Sequence, residues 1–484
     1  MDEGDQSRVQ PSIFRSAVSR RECVGIAASA ILCLPLELKA APGPRYITPE
    51  RFGAVGDGVT NDTEAFAAMA EFVNRRGGGA IVLRPTTYIV GTQARDPTNS
   101  NYSFVPAKIM DFEGCTKALT IDGNGARLRC ADGLRFGTFD RSTGEPTSHI
   151  SPYTTRGELA SPYVAMISVT SCSGGVTINN LELDGNLANL NIGGPFGDKG
   201  RQIPADGIRL IDNNCSEALT QVYSHHHAHD GLRIQRPAEY NPVSVLRDLV
   251  CDYNARQGCS IVAGSSYTFV NCRFNHTGKA GLVSAPGAGV DIEAQWGIIR
   301  NLHFSNCEFS DNTGCGLVAD SGDSEGATFD RCRFIGTTKW AAWPKKPRFR
   351  FDNCQFIGAI CNTFGDPDPD RAAQFHDCIF QDDPALSPTG TVYRPSYPIA
   401  NLNNFQNMLF NRCRFELIQD KVLPWSTGAL YNDCTMSQIA TKVAYPRGTY
   451  TGVNIINGNV DLGRSKILGD VIVNGQTLPR TALG

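Results

Sequence analysis

An excess of charge of either sign is missing from this chain: 45 Lys and Arg stand against 48 Asp and Glu, a net charge of -3 over 484 residues. A nucleic-acid partner, which calls for a basic face, is disfavoured. Charged residues amount to only 19%, without blocks of like charge, while 41% of residues are hydrophobic. A disordered chain is thereby excluded. Long apolar runs are scarce too. Only Val24 to Leu36 comes near the length to be considered, which rules out a multi-span membrane protein. Heptad character is lacking, and 49 Gly and 27 Pro argue against coiled coils and helical bundles.

That one apolar run sits in an address-like segment. Arg20-Arg21 precede it, and Ala40-Ala41 with Pro42 follow it. Positive charge, a short apolar stretch and small residues make up the order of an export signal. The arginine pair is similar to a twin-arginine signal and implies a periplasmic or secreted protein with no stable membrane span once the signal is removed. Residues 1–40 are therefore set apart from the fold.

The 17 cysteines recur in a pattern. Cys251-Asp-Tyr, Cys272-Arg-Phe, Cys307-Glu-Phe, Cys332-Arg-Phe, Cys354-Gln-Phe, Cys378-Ile-Phe, Cys413-Arg-Phe and Cys434-Thr-Met follow at steps of 21, 35, 25, 22, 24, 35 and 21 residues. A period in the low twenties with insertions is the signature of a solenoid. Side chains alternate along a strand, so Cys and Phe of each triplet share the core side. Further strands of the form Gly-apolar-x-apolar follow: Gly231-Leu232-Arg233-Ile234, Gly258-Cys259-Ser260-Ile261, Gly289-Val290-Asp291-Ile292. Each strand would pair with its equivalent one turn away, giving an all-β parallel β-helix. The cysteines then read as reduced core residues rather than a disulfide framework, and an odd count leaves at least one unpaired in any case.

Residues 52–91 open with Phe52-Gly53-Ala54-Val55-Gly56-Asp57-Gly58. A helix start at Asn61 to Thr63, an amphipathic helix to about Arg75, and a strand before Pro85 follow. This opening resembles the pectin-lyase-like superfamily of polygalacturonase-related proteins and phage tailspikes. The resemblance implies a right-handed parallel β-helix capped at its N-terminal end by the helix. We expect the β-helix over 41–440 and a C-terminal β cap over 441–484, since a solenoid end exposes strand edges. That end also leaves room for a homotrimer. The long segment 93–160 could fold as a lid.

Equivalent residues on successive coils lie about 4.8 Å apart, so columns can be read across aligned strands. One outward column is Arg209, Arg233, Ser260, Asp291, Val318; the next is Ile211, Gln235, Val262, Glu293, Asp320. Asp206, Asp230 and Gln257 precede the glycines. Paired carboxylates suit glycoside hydrolysis, and arginines suit acidic groups. The candidate catalytic residues are Asp206, Asp230, His229, Asp291 and Glu293. Arg209, Arg233, Gln235, Ser260 and Asp320 are the candidates for substrate binding, on an exposed groove. The order of these segments is similar to that of family 28 glycoside hydrolases: Asp206 looks like their first Asp and Asp230 like the second member of their Asp pair. His229 replaces the other member, Gln257 replaces a His, and their Arg-Ile-Lys is absent. The run His225-His226-His227-Ala228-His229 shows no zinc-ligand spacing.

The leading expectation is hydrolysis of an acidic polysaccharide, with no cofactor. A uronate lyase or epimerase is the alternative, with Arg209, Arg233 and Lys279 acting on the sugar and calcium held by Asp291 and Glu293. A non-catalytic glycan-binding or envelope-assembly protein is the third reading. Trp340 and Trp343 could stack on sugar rings or simply pack a coil edge.

Overall fold

The structure is a computed structural model that describes residues 46–95, 104–140, 142–153, 159–197, 199–237, 242–360, 363–393 and 398–481. Residues 1–40, read from the sequence as an export signal, lie outside these residues. Tyr46 onward forms one compact unit, and no helix among the described residues is long and apolar enough to cross a membrane.

The single α-helix described, α1 (Thr63–Arg76), starts where expected. Thr63 N–H donates to the Asn61 side chain at 3.1 Å. The Asp62 carboxylate accepts from Val55 and Gly56 N–H at 2.6 and 3.1 Å and so fixes the glycine-rich turn before it. The helix buries Ala65, Phe66, Met69, Ala70 and Val73. Asn74 ties it to the strand Met110–Glu113 through Asp111 O and Glu113 N–H.

From there the chain coils as a parallel β-helix. In its C-terminal half Phe274, Phe309, Phe334, Phe356, Phe380 and Phe415 stack at centroid distances of 4.6–5.5 Å. A second column, Phe269, Phe304, Phe329, Phe351, Phe375 and Phe410, runs beside it at 4.4–5.0 Å. Tyr431 and Tyr450 continue that column.

The cysteines of this half stand at the corner between two strands rather than within one. The residue before each cysteine of the triplets takes the left-handed conformation: Asn271, Asn306, Arg331, Asn353, Asp377, Arg412 and Asp433 have φ of 50–55°. This explains the Asn or Asp in front of five of these seven cysteines, since Asn and Asp tolerate that conformation best. Each thiol donates to a carbonyl of the preceding coil, from Leu246 O for Cys272 to Phe410 O for Cys434, at 3.2–3.6 Å. All 14 cysteines among the described residues are buried, and no disulfide joins any two of them. Cys251 departs from the expected alignment: it pairs with Phe274, not Cys272. It therefore heads the phenylalanine column, two residues out of the register its triplet suggested.

Parallel pairing runs past residue 440, through Pro446–Thr451 and Val453–Asn457. The strand Asp470–Val473 then pairs antiparallel with Gln476–Thr477, which covers its free edge. Within 93–160, short strands form a separate five-stranded sheet with Asn191–Ile192.

Candidate active site

The site lies on an eight-stranded parallel sheet that includes Asp206–Ile211, Asp230–Gln235, Gln257–Ile261, Ala288–Ile292, Leu317–Ala319 and Ala342–Pro344. Arg209 pairs with Arg233, then Ser260, Asp291, Val318 and Trp343. The insertion at 279–288 leaves this register intact. The glycines ahead of the column have a packing reason. A Cβ on Gly258 would sit 2.6 Å from Gly289 O, and one on Gly289 would sit 2.6 Å from Gly316 O.

The column is not the open groove expected of it. Asp206 and Asp230 are 0% exposed, Ser260 2% and Asp291 5%. The segment around residues 199–204 reaches over this region and is pinned to residues 284–285. Arg201 N–H donates to Ser284 Oγ at 2.8 Å, and Gln202 Nε2 donates to Ala285 O at 3.0 Å. Arg256 Nε donates upward to Gln202 Oε1 at 2.8 Å.

Beneath this cover runs a continuous polar chain. His229 Nδ1 lies 2.6 Å from Asp206 Oδ1 and 3.5 Å from Asp230 Oδ2. Arg256 Nη1 donates to Asp230 Oδ2 at 2.9 Å and to Gln257 Oε1 at 3.1 Å. Gln257 Nε2 donates to Asp291 Oδ2 at 2.5 Å. Arg209 Nε stands 3.4 Å from Asp206 Oδ2. Burial works against ionisation of Asp206, but His229 and the two column arginines outweigh it and hold the carboxyl below its ordinary range. Burial pushes Asp230 up, against the pull of Arg256 and His229. It also lowers the affinity of Arg233 for its proton.

Asp291 differs from both. Burial and the nearby Glu293 push it up to about 8, with Arg256 opposing and Asp320 adding to the rise. That shift favours its protonated form near neutral pH. Gln257 occupies one of its oxygens, and the other has no hydrogen-bond partner among the described residues.

Asp291, Glu293 and Asp320 share a cleft of about 800 Å³ with Arg256, Trp340 and Trp343. The tryptophan rings meet edge to face at 5.1 Å, and Trp343 Nε1 is buried without a partner. Tyr153, from the long insertion, and Lys199, from the covering segment, complete the wall. Of the five candidate catalytic residues, Asp291 and Glu293 line this cleft. Asp206, His229 and Asp230 sit behind Arg256. Ser260 lies buried between Arg233 and Asp291, while Arg209, Arg233 and Gln235 are half-buried on the coils before it. Lys279 is elsewhere: its amine is 3.4 Å from Asp311 and donates to Thr338. The residue-level reading missed Arg256. The signal was the position before Asp230 and Gln257, which holds His229 in one coil and Arg256 in the next.

The histidine run splits. His229 joins the polar chain, His227 is buried with Nδ1 2.8 Å from the Tyr163 hydroxyl, and His225 and His226 face another side. Two groups of His and carboxylate donors lie close enough to share a metal ion among the described residues. They are Asp206, His229, Asp230 and Asp184, His225, His226; neither contains Asp291 or Glu293.

Residues 165–356 match the family model described as "right handed beta helix region", in accord with the parallel coil. Over 47 residues the chain is 51% identical to a capsule KN3-specific depolymerase of Klebsiella phage KN3-1; the match spans 10% of this chain and 6% of that protein. The A-module of the Azotobacter vinelandii mannuronan C-5 epimerase AlgE6 is similar over 89% of this chain and 98% of its own, at 15% identity and a TM-score of 0.40. A tailspike depolymerase of Acinetobacter baumannii bacteriophage Fri1 is similar over 90% of this chain and 65% of its own, at 13% identity and a TM-score of 0.41.

Proposed function

We propose that this protein hydrolyses glycosidic bonds of an acidic polysaccharide outside the inner membrane, the N-terminal segment acting as its export signal. The observation that carries the proposal is the cleft in which Asp291, its carboxyl pushed up by burial and Glu293, stands beside Glu293 and Asp320, facing two tryptophans. Asp291 donates its proton to the leaving glycosidic oxygen. Glu293 takes a proton from water as the water oxygen bonds to the anomeric carbon. Trp340 and Trp343 offer apolar faces to sugar rings, and Arg256 and Lys199 draw in carboxylate substituents. Asp206, His229 and Asp230 act as positioning residues that hold Arg256 and, through Gln257, Asp291. The short likeness to a capsule depolymerase supports a polysaccharide substrate.

A panel of neutral and acidic polysaccharides tests the proposal, with reducing ends and unsaturated-uronate absorbance read together. New reducing ends without absorbance support hydrolysis. Absorbance would replace it with β-elimination, and binding without product would replace it with a glycan-binding role.

A further inference from the structure

We infer that Asp184, His225 and His226 form a binding site for a divalent transition metal of the zinc class, on a different sheet from the cleft. Asp184 ends the strand Val176–Asp184 and pairs in register with His225, which ends Glu217–His225 on the next coil. His226 follows at the corner with φ of 54°. The Nδ1 atoms of the two histidines are 2.7 Å apart, and His225 Nδ1 is 3.8 Å from Asp184 Oδ1. Donors on a tetrahedral zinc ion, with bonds of about 2.0–2.1 Å, stand roughly 3.3 Å apart. The observed separations bracket that value, so a small turn of the half-buried His226 ring admits the ion. Without metal, one Nδ1–H bridges the two rings. With metal, both Nδ1 lone pairs are needed, and that proton moves to the Nε2 of its own ring.

The surroundings are those of a ligand set. Glu182 Oε1 lies 3.2 Å from His225 Nε2 and can hold that nitrogen protonated, which frees Nδ1 for the metal. Tyr223 stacks on His225 at 4.0 Å and holds that ring, while Tyr253 stacks more loosely on His226 at 5.1 Å. Asn186 N–H donates to Asp184 Oδ1 at 2.8 Å. An opening of about 310 Å³ leads to the three residues. Arg127 and Arg129 border the cluster, but Asp132, Glu182, Asp184 and Asp252 outnumber them. Imidazole nitrogen with one carboxylate oxygen suits zinc, nickel or copper better than calcium or magnesium. The comparison group, Asp206, His229 and Asp230, has equally close donors. It is sealed, with 0–4% exposure, and Arg209, Arg233 and Arg256 surround it, so it offers a cation neither entry nor net negative charge.

The test uses mature, tag-free protein freed of metal by a chelator. Zinc chloride is titrated by calorimetry, and cobalt chloride by visible absorbance. The expected result is one zinc ion per chain and a ligand-field band with cobalt. His226→Ala and Asp184→Asn should each weaken binding at least about tenfold, while His229→Ala leaves it unchanged. Should Asp184→Asn fail to fold for want of its pairing with Arg127, His226→Ala decides alone. Absence of saturable binding, binding undiminished in His226→Ala, or loss in His229→Ala would each overturn the site.

Discussion

The interior columns between Cys272 and Cys434 repeat phenylalanine coil after coil, whereas the outward column of the site face changes from Arg209 and Arg233 to Ser260, Asp291 and Val318. Both regions use one geometry, strands stacked about 4.8 Å apart. Phenylalanine stacked on phenylalanine gains contact with every added coil, so repetition is favourable and can run indefinitely. Stacked carboxylates repel, and a covered face strips them of water. A charged column must then break its repeat, find partners, or hold a proton. The site coils do all three: Ser260 and Val318 interrupt the column, Arg256 and His229 pair with Asp230 and Asp206, and burial beside Glu293 pushes Asp291 toward its protonated form. The regular half serves stability, and the irregular half is where chemistry is possible.

The comparison breaks most sharply at Asp291. Asp291→Asn keeps the shape and removes the acid, so cleavage should fall by about 10²- to 10⁴-fold while the melting temperature stays within a few degrees of wild type. Cleavage at the wild-type rate would remove Asp291 from the mechanism. In the regular half the balance should invert. Phe334→Ala opens a hole in a stack held from both sides at 4.6 and 4.9 Å. It should cost about 3–5 kcal/mol in denaturant unfolding and leave turnover per folded molecule unchanged.

Gly258→Ala probes the boundary between the two regions. Its Cβ would press on Gly289 O at 2.6 Å, and a loss of about 1–3 kcal/mol is expected, together with reduced activity because Ser260 and Asp291 must shift. Trp343→Ala should raise KM about tenfold, equivalent to about 1.4 kcal/mol of binding, with kcat largely kept. An equal fall in kcat would place the ring at the reacting bond instead of at a neighbouring sugar.

A pH slope completes the comparison. Asp291 has an ordinary value of 3.8 and is raised to about 8 in the fold. Between these values the folded state binds more protons than the unfolded chain. The residue therefore costs no stability below pH 3.8; its penalty grows as pH rises through the interval and levels off above about 8. Activity that needs its proton should fall over the same upper limit. Asp291→Asn should flatten the stability slope, as measured by unfolding at a series of pH values.

Much of the scaffold was legible because its signals are local. The Cys-x-Phe period and the Gly-apolar-x-apolar strands each follow from side-chain alternation and repeat length. The column Arg209, Arg233, Ser260, Asp291, Val318 came out in the observed register. Cys251 misled because a cysteine and a phenylalanine can fill the same interior position, and the triplet alone does not say which corner precedes it. The cover over Asp206 and Asp230 was illegible, since it depends on residues 199–204 meeting 284–285 more than 80 positions later. Arg256 was missed for a related reason: its partners Gln202, Asp230 and Gln257 come from three coils.

By itself, then, the amino-acid order determined the coil, its period, the capping helix and which residues share a face, because each rests on spacing along one chain and the fixed rise of a strand. Only the tertiary structure decided which carboxyl holds a proton. Asp206, Asp230 and Asp291 are all buried carboxyls of one sheet. What separates them is the sign and distance of the charges that other coils bring alongside: His229 and arginines for Asp206, Arg256 for Asp230, Glu293 and Asp320 for Asp291. In a water-poor interior those neighbours set the charge of a carboxyl, and no local pattern records them.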